Sequence, residues 1–563
     1  MRFLHSLLGA SPSPWSVRLR RAIASGHAPK LAQLFPTLMM ICLLGSTTAL
    51  VGAATINTTP ELNLSSRVGP PTTQLVVSGV RFDPNAGIDI YFDMTDLALA
   101  TTNSGGSFSN IVILVPASAS PGTHWVTGVS RASGKSATKS FLVRTDWAQY
   151  QFDANRTGYN PYENVLGPTT VSHIGMHWSY FAGGFGSSTP AVVNGVVYVG
   201  NDDGNLYAMN ANTGALVWQY TTGGSVSDSP AVNKGVVYFG SSDGNLYAVN
   251  ATTGALVWKY AAGSGIESSP AVYYLSWASP VVYFRSGDGN LFAVNATTGA
   301  LLWRFLTGGG GGTTCGPAVA NGVVYVGSAY GVLYALDAKT GVLLWTYDTG
   351  YLSLWSPVVT KDVVYFLSRA GLFALNAKSG ALLWTLSVFL GPDNWIFPSA
   401  PPTVSNGVLY FPTFDVDGDF EYMVAVNAKT RALFWAQKTG SAYIGISTIT
   451  PVVANGVIYG GNNADGTLYA LDASTGNRLW TYFEPSYRGG AGPVVANGVV
   501  YAGYSYNYDL QIGTFHAFDL IGSSYPTGAN PSSRPDPSQL HPNFSLQPSV
   551  PLQAVPPSEP TPD

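Results

Sequence analysis

The sequence predicts an all-β protein in which an eight-bladed β-propeller follows a small β-sandwich. Three observations lead to this fold class. Units that end in Trp recur every 39 to 51 residues, and each unit contains Gly turns between short apolar runs. Charged residues make up only 10% of the 563 residues, against roughly 25% in an average soluble protein. Glycine and tyrosine replace them, with 64 and 32 residues, and this composition suits short strands and tight turns better than long surface helices.

The repeated unit is clearest in the middle of the chain. Residues 190–218 read PAVVNGVVYVGNDDGNLYAMNANTGALVW, and residues 230–258 read PAVNKGVVYFGSSDGNLYAVNATTGALVW. Further units end at Trp303, Trp345, Trp384, Trp435 and Trp480, so that the spacings from Trp218 onward are 40, 45, 42, 39, 51 and 45 residues. Four short antiparallel strands in a unit of this length are typical of one propeller blade.

The turns inside each unit have a physical explanation. Asp203-Gly204 and Asp243-Gly244 each lie between two alternating apolar strands. Both central residues of a type I′ turn need a positive φ, which Asp-Gly and Asn-Gly tolerate well. Asn194-Gly195 predicts the preceding hairpin of the same unit in the same way.

The two ends of the repeat region predict how the ring closes. An eighth unit begins at Pro493 but ends without its Thr-Gly turn or its Trp. Trp178 precedes Trp218 by 40 residues, which is the spacing of a complete unit. We therefore expect the strand around Trp178 to complete the eighth blade, because closure protects the sheet edges. Seven blades with a loose eighth is the alternative.

The end of each unit resembles a known family. The pattern Ala208-x-Asn210-x-x-Thr213-Gly214-x-x-x-Trp218 resembles the tryptophan-docking repeat of PQQ-like (quinoprotein-type) β-propellers, and the resemblance covers residues 148–520. In that family the Trp of one blade packs against the neighbouring blade. The resemblance therefore implies a structural docking role for Trp178, Trp218, Trp258, Trp303, Trp345, Trp384, Trp435 and Trp480. Blade six has Arg431 where Gly is expected, so we expect its turn to be distorted.

The N-terminal region, residues 1–54, reads as a signal peptide or an N-terminal membrane anchor. Arg18, Arg20, Arg21 and Lys30 precede an uncharged stretch from Leu34 to Ala54. A cleaved signal is the first interpretation, and a retained anchor is the alternative, because 21 uncharged residues could also span a bilayer. We expect an exported protein, extracellular or in the cell envelope (periplasmic or surface). Removal of the signal would leave Cys315 as the one cysteine.

Two further segments flank the predicted propeller. Residues 60–144 contain strand-like runs separated by Pro, Gly and Asn turns. Ser78-Gly-Val-Arg-Phe and Pro121-Gly-Thr-His within them resemble the IPT/TIG type of immunoglobulin-like sandwich, which implies adhesion or spacing. Residues 521–563 hold 11 of the 37 prolines, and such a Pro/Ser-rich tail is expected to be disordered.

The predicted ligand site lies at the central mouth of the ring. The loop before each Pro-led strand should reach this mouth, and these loops are the least repetitive part of each unit. We expect ligand-binding residues there, namely Phe185, Asp228, Glu267, Trp355, Trp395, Tyr443 and Arg488. Aromatic, acidic and basic side chains around an opening could recognise a small polar ligand or a peptide. The alternative is that they are ordinary rim residues.

A metal site is predicted in one hairpin. Four carboxylates alternate beside a glycine, at Asp415, Asp417, Asp419 and Glu421. Calcium prefers six to eight oxygen ligands, so such a cluster could bind it. The spacing departs from that of an EF-hand loop, and a solvated acidic hairpin is the alternative.

Two classes of function remain. The first is a noncatalytic binding or scaffold propeller that recognises a protein or a small polar ligand. The alternative, which the family resemblance implies, is a PQQ- and calcium-dependent dehydrogenase that oxidises an alcohol or a sugar. The Cys-Cys pair found in many alcohol-oxidising relatives cannot form with one mature cysteine, and no catalytic residue is assigned. With a net charge of −4 and no basic footprint, a nucleic-acid partner is excluded, and a membrane is expected to be contacted only through an N-terminal anchor.

Overall fold

The computed structural model describes residues 59–520 apart from several short gaps. The gaps fall at 185–187, 267, 277–278, 309–314, 352–353, 369–370, 387, 390–394, 416–419, 442–448, 463, 485–489 and 508–511. By contacts the chain forms two units, Met1–Thr59 and Pro60–Asp563, and the architecture below belongs to the second. The predicted signal or anchor and the Pro-rich tail lie outside the described residues. Within the described part, no helix is long and apolar enough to cross a membrane.

The first described region is a β-sandwich, as predicted. A three-stranded sheet has the order β1-β3-β6, and a five-stranded sheet has the order β2-β8-β7-β4-β5. The strands are β1 (Glu61–Leu64), β2 (Val68–Gly69), β3 (Gln74–Val80), β4 (Gly87–Phe92), β5 (Thr95–Thr101), β6 (Phe108–Leu114), β7 (Gly122–Ser130) and β8 (Ser136–Val143). Leu75, Ile90 and Phe141 from both sheets share one fully buried core. The assignment of this sandwich to the IPT/TIG type stays a prediction.

The second described region consists of eight sheets between residues 174 and 520, each built on four antiparallel strands. Blade 1 contains β11 (Ala191–Val193), β12 (Val196–Gly200), β13 (Asn205–Asn210) and β14 (Leu216–Thr221). Blade 2 contains β15 (Ala231–Asn233), β16 (Val236–Gly240), β17 (Asn245–Asn250) and β18 (Leu256–Ala261). Blade 3 contains β19 (Ala271–Ser276), β20 (Ser279–Arg285), β21 (Asn290–Asn295) and β22 (Leu301–Leu306). Blade 4 contains β23 (Ala318–Ala320), β24 (Val323–Gly327), β25 (Val332–Asp337) and β26 (Leu343–Asp348).

The remaining blades follow in the same order. Blade 5 contains β27 (Val358–Thr360), β28 (Val363–Ser368), β29 (Gly371–Asn376) and β30 (Leu382–Leu386). Blade 6 contains β33 (Thr403–Ser405), β34 (Val408–Asp415), β35 (Phe420–Asn427) and β36 (Leu433–Ser441), with β31 (Val388–Phe389) and β32 (Trp395–Pro398) added to its sheet. Blade 7 contains β37 (Val452–Ala454), β38 (Val457–Asn462), β39 (Thr467–Asp472) and β40 (Arg478–Phe483), with β9 (Tyr159–Asn160) added. Blade 8 contains β41 (Val494–Ala496), β42 (Val499–Asn507), β43 (Ile512–Leu520) and β10 (Ile174–Gly183), which follows a short 3-10 helix at Val171–His173.

The burial pattern of a blade follows from how blades stack. In blade 2 the second and third strands are almost continuously buried, because both of their faces pack against neighbouring blades. The outermost strand alternates between exposed and half-buried residues. The turn before β12 has the positive φ angles that the Asn-Gly pair predicts, 55° at Asn194 and 75° at Gly195.

Blade 8 takes its outermost strand from the N-terminal side of the repeat region, as the sequence predicts. Strand β10 pairs antiparallel with β43, and Trp178 lies opposite Ala517. The last blade is therefore built from two parts of the chain more than 300 residues apart in sequence. Its edge is covered by a strand that the C-terminal unit lacks.

The repeated tryptophans lie at the seams between blades. The Trp218 indole N–H donates to the carbonyl of Ala251 in the next blade at 3.0 Å. The other indoles that bond a carbonyl across a seam are those of Trp178, Trp258, Trp303, Trp345, Trp435 and Trp480, at 3.0 to 3.2 Å. An ideal Cβ on Gly254 would lie 2.8 Å from the Trp218 ring, so this seam needs a glycine in the turn.

The prediction of a distorted turn at Arg431 is wrong. Arg431 adopts a φ of 67°, within a few degrees of the glycines at this position in other blades. Its amide donates to the carbonyl of Asn427 at 2.8 Å, which is the same bond as in those blades. The Asn427 side chain also accepts the amide of Thr430 at 2.7 Å. The turn keeps its shape because these local bonds hold it.

Candidate functional site

A segment of the chain, residues 145–160, lines the inside of the ring; we call it the inner segment. Trp147 exchanges two backbone hydrogen bonds with Val192 of blade 1, at 2.8 and 2.7 Å. The other innermost strands bond to the segment in chain order, through Val232 to Ala148, Val272 to Gln149, Val319 to Ala154, Val359 to Asn155, Val404 to Thr157, Val453 to Gly158, and Val495 to Asn160. The inner segment therefore contacts all eight blades.

The hydrogen bonds between the inner segment and the innermost strands have a simple physical cause. The innermost strand of each blade has one edge that the other strands of its blade leave uncovered, and in blade 7 that edge pairs with β9 of the inner segment. A buried backbone donor without an acceptor is costly, and carbonyls of the inner segment supply most of the acceptors. The inner segment thus completes the polar pairing on the inside of the ring.

Arg156 is the most unusual residue of the inner segment. Its side chain is completely buried, and its guanidinium donates to three backbone carbonyls. The distances are 3.0 Å to Pro317, 3.0 Å to Tyr150 and 2.7 Å to Ser269. Burial lowers the pKa of Arg156 to about 10, because a low-dielectric environment disfavours the charged form, although nearby Tyr150 and Asp153 oppose this. Arg156 therefore ties the inner segment to blades 3 and 4.

Two neighbours of Arg156 make similar contacts. The Tyr150 hydroxyl lies 3.0 Å from the Thr450 hydroxyl, and the Arg156 guanidinium stacks 5.1 Å from the centre of the Tyr150 ring. The Gln151 side-chain amide donates to the carbonyl of Pro402 at 3.3 Å. Thr450 directly precedes Pro451, which leads into β37, the innermost strand of blade 7. These side chains therefore lie at the level where the loops enter the ring.

A belt of small residues surrounds the inner segment at this level. The Thr189 amide donates to the Ser229 hydroxyl at 3.0 Å, and the Ser229 amide donates to the Ser269 hydroxyl at 3.1 Å. The Gly316 amide donates to the Ser356 hydroxyl at 2.9 Å in the same way. These residues stand immediately before the Pro-led strands, which is where the sequence places the mouth. We call these residues, together with Tyr150, Gln151 and Arg156, the floor of the predicted mouth.

Two of the predicted ligand residues have described side chains. Asp228 is half-buried next to Ser229, and its charge is one of those that oppose the lowering of the Arg156 pKa by burial. Trp355 is half-buried next to Ser356, and its amide donates to the carbonyl of Leu367 at 3.2 Å. Both therefore adjoin the belt that surrounds the mouth floor. Phe185, Glu267, Tyr443 and Arg488 lie outside the described residues, and Trp395 belongs to β32 without a described side chain.

The floor residues are those that the sequence reasoning missed. Tyr150, Gln151 and Arg156 precede the first repeat unit and belong to no motif. One signal could have found Arg156, since it is a cation in a chain in which few residues are charged. Its partners are backbone carbonyls 6 to 161 residues away in sequence, and backbone groups leave no trace in the pattern of side chains.

The predicted metal residues are only partly described. Asp415 ends β34, where its backbone pairs with Ile396, while Asp417 and Asp419 lie outside the described residues. Glu421 lies on β35 with 1% of its surface exposed. Burial, and then the charge of Asp465, raise the pKa of Glu421 well above its ordinary value. Among the residues that the structure describes, no three His, Cys, Asp or Glu side chains come together as metal ligands.

A calcium-bound quinone would need several oxygen ligands at the mouth. Asp228 is the one predicted mouth carboxylate whose side chain is described, and Arg156 beside it already donates to three carbonyls. The described residues therefore do not assemble the donor set of such a cofactor, and no redox step follows from them.

The chain matches one family model over most of its length. The model is described as "Outer membrane protein assembly factor BamB", and it matches residues 123–304, 274–411 and 391–523. These ranges overlap and together extend from residue 123 to residue 523. None of the curated proteins matches the chain.

Solved structures with a similar fold include three dehydrogenases. A europium-containing methanol dehydrogenase is 15% identical with a TM-score of 0.55, over 67% of this chain and 98% of that chain. Quinohemoprotein alcohol dehydrogenase ADHIIG from Pseudomonas putida HK5 is 18% identical with a TM-score of 0.55, over 70% of this chain and 82% of that chain. The quinohemoprotein alcohol dehydrogenase from Comamonas testosteroni is 18% identical with a TM-score of 0.54, over 68% and 81%. At these identities the similarity shows the β-propeller fold and nothing about the activity.

Proposed function

Because this chain belongs to the family described as outer membrane protein assembly factor BamB, we propose that it is an exported, noncatalytic binding or scaffold propeller. It recognises a protein partner, or a small polar ligand, at the central mouth and the blade rims. Its location is the extracellular space or the cell envelope, in keeping with the name of the family. The sandwich that precedes the propeller acts as a spacer or an adhesive module.

The inner segment is the observation that carries this proposal. It bonds to the innermost strand of every blade, and Arg156 fixes it to the Ser269 and Pro317 carbonyls at the level of the mouth. The inside of the ring is thereby filled with chain, and a partner would meet a floor surrounded by variable loops. Such a surface suits the recognition of a folded or extended partner, with aromatic residues as anchors.

Loss of binding in a mouth variant tests the proposal. Asp228→Ala combined with Trp355→Ala removes the two described mouth side chains, while Leu343→Ala on the outermost strand of blade 4 is the matched control. The immobilised full chain is exposed to a cell-envelope extract of its own organism, and the bound proteins are quantified. We expect a protein that the wild type and the control capture equally and that the mouth variant captures at least tenfold less. Equal capture by the mouth variant would contradict binding at the mouth.

The alternative is a PQQ- and calcium-dependent dehydrogenase for an alcohol or a sugar, which the similar dehydrogenase structures support through their fold. Purified full chain with added PQQ and calcium should then show a bound quinone spectrum and dye-linked oxidation of an alcohol or a sugar. We expect neither result. If both are observed, the noncatalytic proposal is wrong.

A further inference from the structure

A regular contact between a tyrosine and an aspartate occurs in the first two blades. The Tyr207 hydroxyl donates to the Asp203 carboxylate at 2.6 Å, and the Tyr247 hydroxyl donates to the Asp243 carboxylate at 2.6 Å. In each case the aspartate belongs to the Asp-Gly hairpin and the tyrosine follows on the next strand. The contact pairs a phenol with a carboxylate inside one blade.

Blade 7 has the same two residue types, but the contact is absent. Tyr469 is completely buried, and its hydroxyl has no hydrogen-bond partner among the described residues. Asp465 accepts the amide of Thr467 at 3.0 Å with one oxygen, as Asp203 accepts the amide of Asn205, but it does not accept the Tyr469 hydroxyl. A buried hydroxyl without a partner costs free energy, so something else should occupy this place.

Glu421 of blade 6 faces the same place. One of its carboxylate oxygens is buried and has no partner among the described residues. Glu421 lies directly opposite Gly440 in the sheet, and side chains of such a pair point to the same face. An ideal Cβ on Gly440 would lie 2.7 Å from an Asp465 carboxylate oxygen and 2.5 Å from the Asn462 side-chain nitrogen. The Asp465 carboxylate therefore packs against Gly440, opposite Glu421, and its charge acts on Glu421. We call the place between these two carboxylates the gap.

Among the described residues, no basic side chain forms an ion pair with the carboxylates of this gap. Arg478 lies nearby, but it donates to the Thr439 carbonyl at 2.5 Å and lies 5.5 Å from the centre of the Tyr469 ring. A buried carboxylate without a partner is strongly unfavourable unless a proton or a cation neutralises it.

We propose that Glu421 and Asp465 bind a divalent cation of the calcium class at the seam between blades 6 and 7. The ligands are carboxylate oxygens, which hard cations prefer, and water completes the coordination on the side of the Tyr469 hydroxyl. The cation takes the place of the tyrosine–aspartate contact of blades 1 and 2 and holds the longer blade 6 against blade 7. This inference is independent of the function proposed for the mouth.

Calcium binding by the full chain tests the proposal. The chain is stripped with a chelator, titrated with calcium in a calorimeter, and its melting temperature is measured with and without calcium. Terbium, which replaces calcium and emits when nearby tyrosine is excited, gives a second signal. We expect one site in the wild type, a higher melting temperature with calcium, and at least tenfold weaker binding in Glu421→Gln. Asp465→Asn should show the same loss and serves as the second variant if Glu421→Gln does not fold.

Asp417→Asn is the second arm of the test, since it removes a carboxylate of the acidic cluster predicted from the sequence that is not one of the two proposed ligands. We expect it to bind calcium as the wild type does. If Asp417→Asn loses the site while Glu421→Gln keeps it, the cation is bound by the hairpin and the proposal is wrong. If the wild type takes up no calcium, Glu421 is neutralised by a proton and the proposal is equally wrong.

Discussion

The turns of blades 2 and 6 differ at the position of Gly254, which is Arg431 in blade 6, and the two blades form different seams with the blade before them. At blade 2 the Trp218 indole and the Tyr198 hydroxyl both donate to the Ala251 carbonyl, each at 3.0 Å. At blade 6 the equivalent donors are Trp384 and Tyr365, and within the described residues neither bonds the Ala428 carbonyl. The turns themselves agree, with φ angles of 71° at Gly254 and 67° at Arg431.

The comparison separates two properties of the repeat that usually occur together, the shape of the turn and the docking of the indole on it. The turn is held by its Asn, since the Asn250 and Asn427 side chains each accept two backbone amides at 2.7 to 3.0 Å. Docking of the indole needs space above the turn, and that space exists only when no Cβ is present. Arg431 therefore leaves the turn intact and changes the seam.

Removal of the docked indole should give the largest difference between the two blades. Trp218→Ala loses a large apolar side chain and a hydrogen bond, and we expect it to lower the free energy of unfolding by about 3 kcal/mol. Trp384→Ala loses no such bond and should cost about 1 kcal/mol less. Urea unfolding of both variants, followed by circular dichroism, measures the difference. Equal losses would show that the indole bond contributes nothing to the seam.

The origin of these contacts explains how much the sequence could predict. The strands and the Asn-Gly turns of the blades follow from local patterns, such as the Asn194-Gly195 turn and the spacing from Trp178 to Trp218, and both were predicted. The type I′ prediction is wrong for Asp203-Gly204, where only the glycine has a positive φ. The inner segment was not predicted, because its bonds join groups far apart in sequence, up to 335 residues between the Asn160 side-chain amide and the Val495 carbonyl. The surroundings of Glu421 were missed for a similar reason, since Asp465 belongs to the next blade. The predicted mouth and metal residues stay predictions.

Introducing the blade 6 residue into blade 2 should have the next largest effect. Gly254→Arg places a side chain at a φ of 71°, which costs about 1 to 2 kcal/mol in an L-residue. The new Cβ would also displace the Trp218 ring, so we expect a total loss of about 2 kcal/mol. Gly235→Arg, at a φ of 78° with no atom near its ideal Cβ, is the control for backbone strain alone. A variant no less stable than this control would contradict a steric role for the glycine.

The two blades should also respond to pH in opposite directions. Burial alone would raise the pKa of Asp243, but the Tyr247 and Gly223 bonds outweigh it and the pKa is lowered. Its contribution to stability is therefore present above its unfolded pKa of 3.8 and is lost as the pH falls. The pKa of Glu421 is shifted in the opposite direction, because burial raises it. In calcium-free buffer above pH 4.5, the folded state therefore keeps a proton that the unfolded state has released. Stability then falls as the pH rises, by at most about 1.4 kcal/mol per pH unit.

Isosteric variants separate these two dependences. Asp243→Asn should reduce the loss of stability on acidification, and Glu421→Gln should reduce the loss on raising the pH above 4.5 in the presence of a chelator. Urea unfolding between pH 3 and pH 7, a range chosen to include both ordinary carboxylate pKa values, measures both slopes. An unchanged slope in Glu421→Gln would mean that Glu421 is ionised in the folded protein.

Restoring the glycine in blade 6 should have the smallest effect and the opposite sign. Arg431→Gly removes a side chain from a φ of 67°, which should gain about 1 to 2 kcal/mol, while the added freedom of the unfolded chain returns about 0.5 to 1 kcal/mol. If the Trp384 indole then reaches the Ala428 carbonyl, one further hydrogen bond is formed, and we expect a net gain of about 1.5 kcal/mol. Lys361→Gly, at a φ of 47° in a turn of blade 5, gains only the backbone contribution. A larger gain in Arg431→Gly than in Lys361→Gly, measured by urea unfolding, is therefore the signature of indole docking, and equal gains would assign the whole effect to backbone strain.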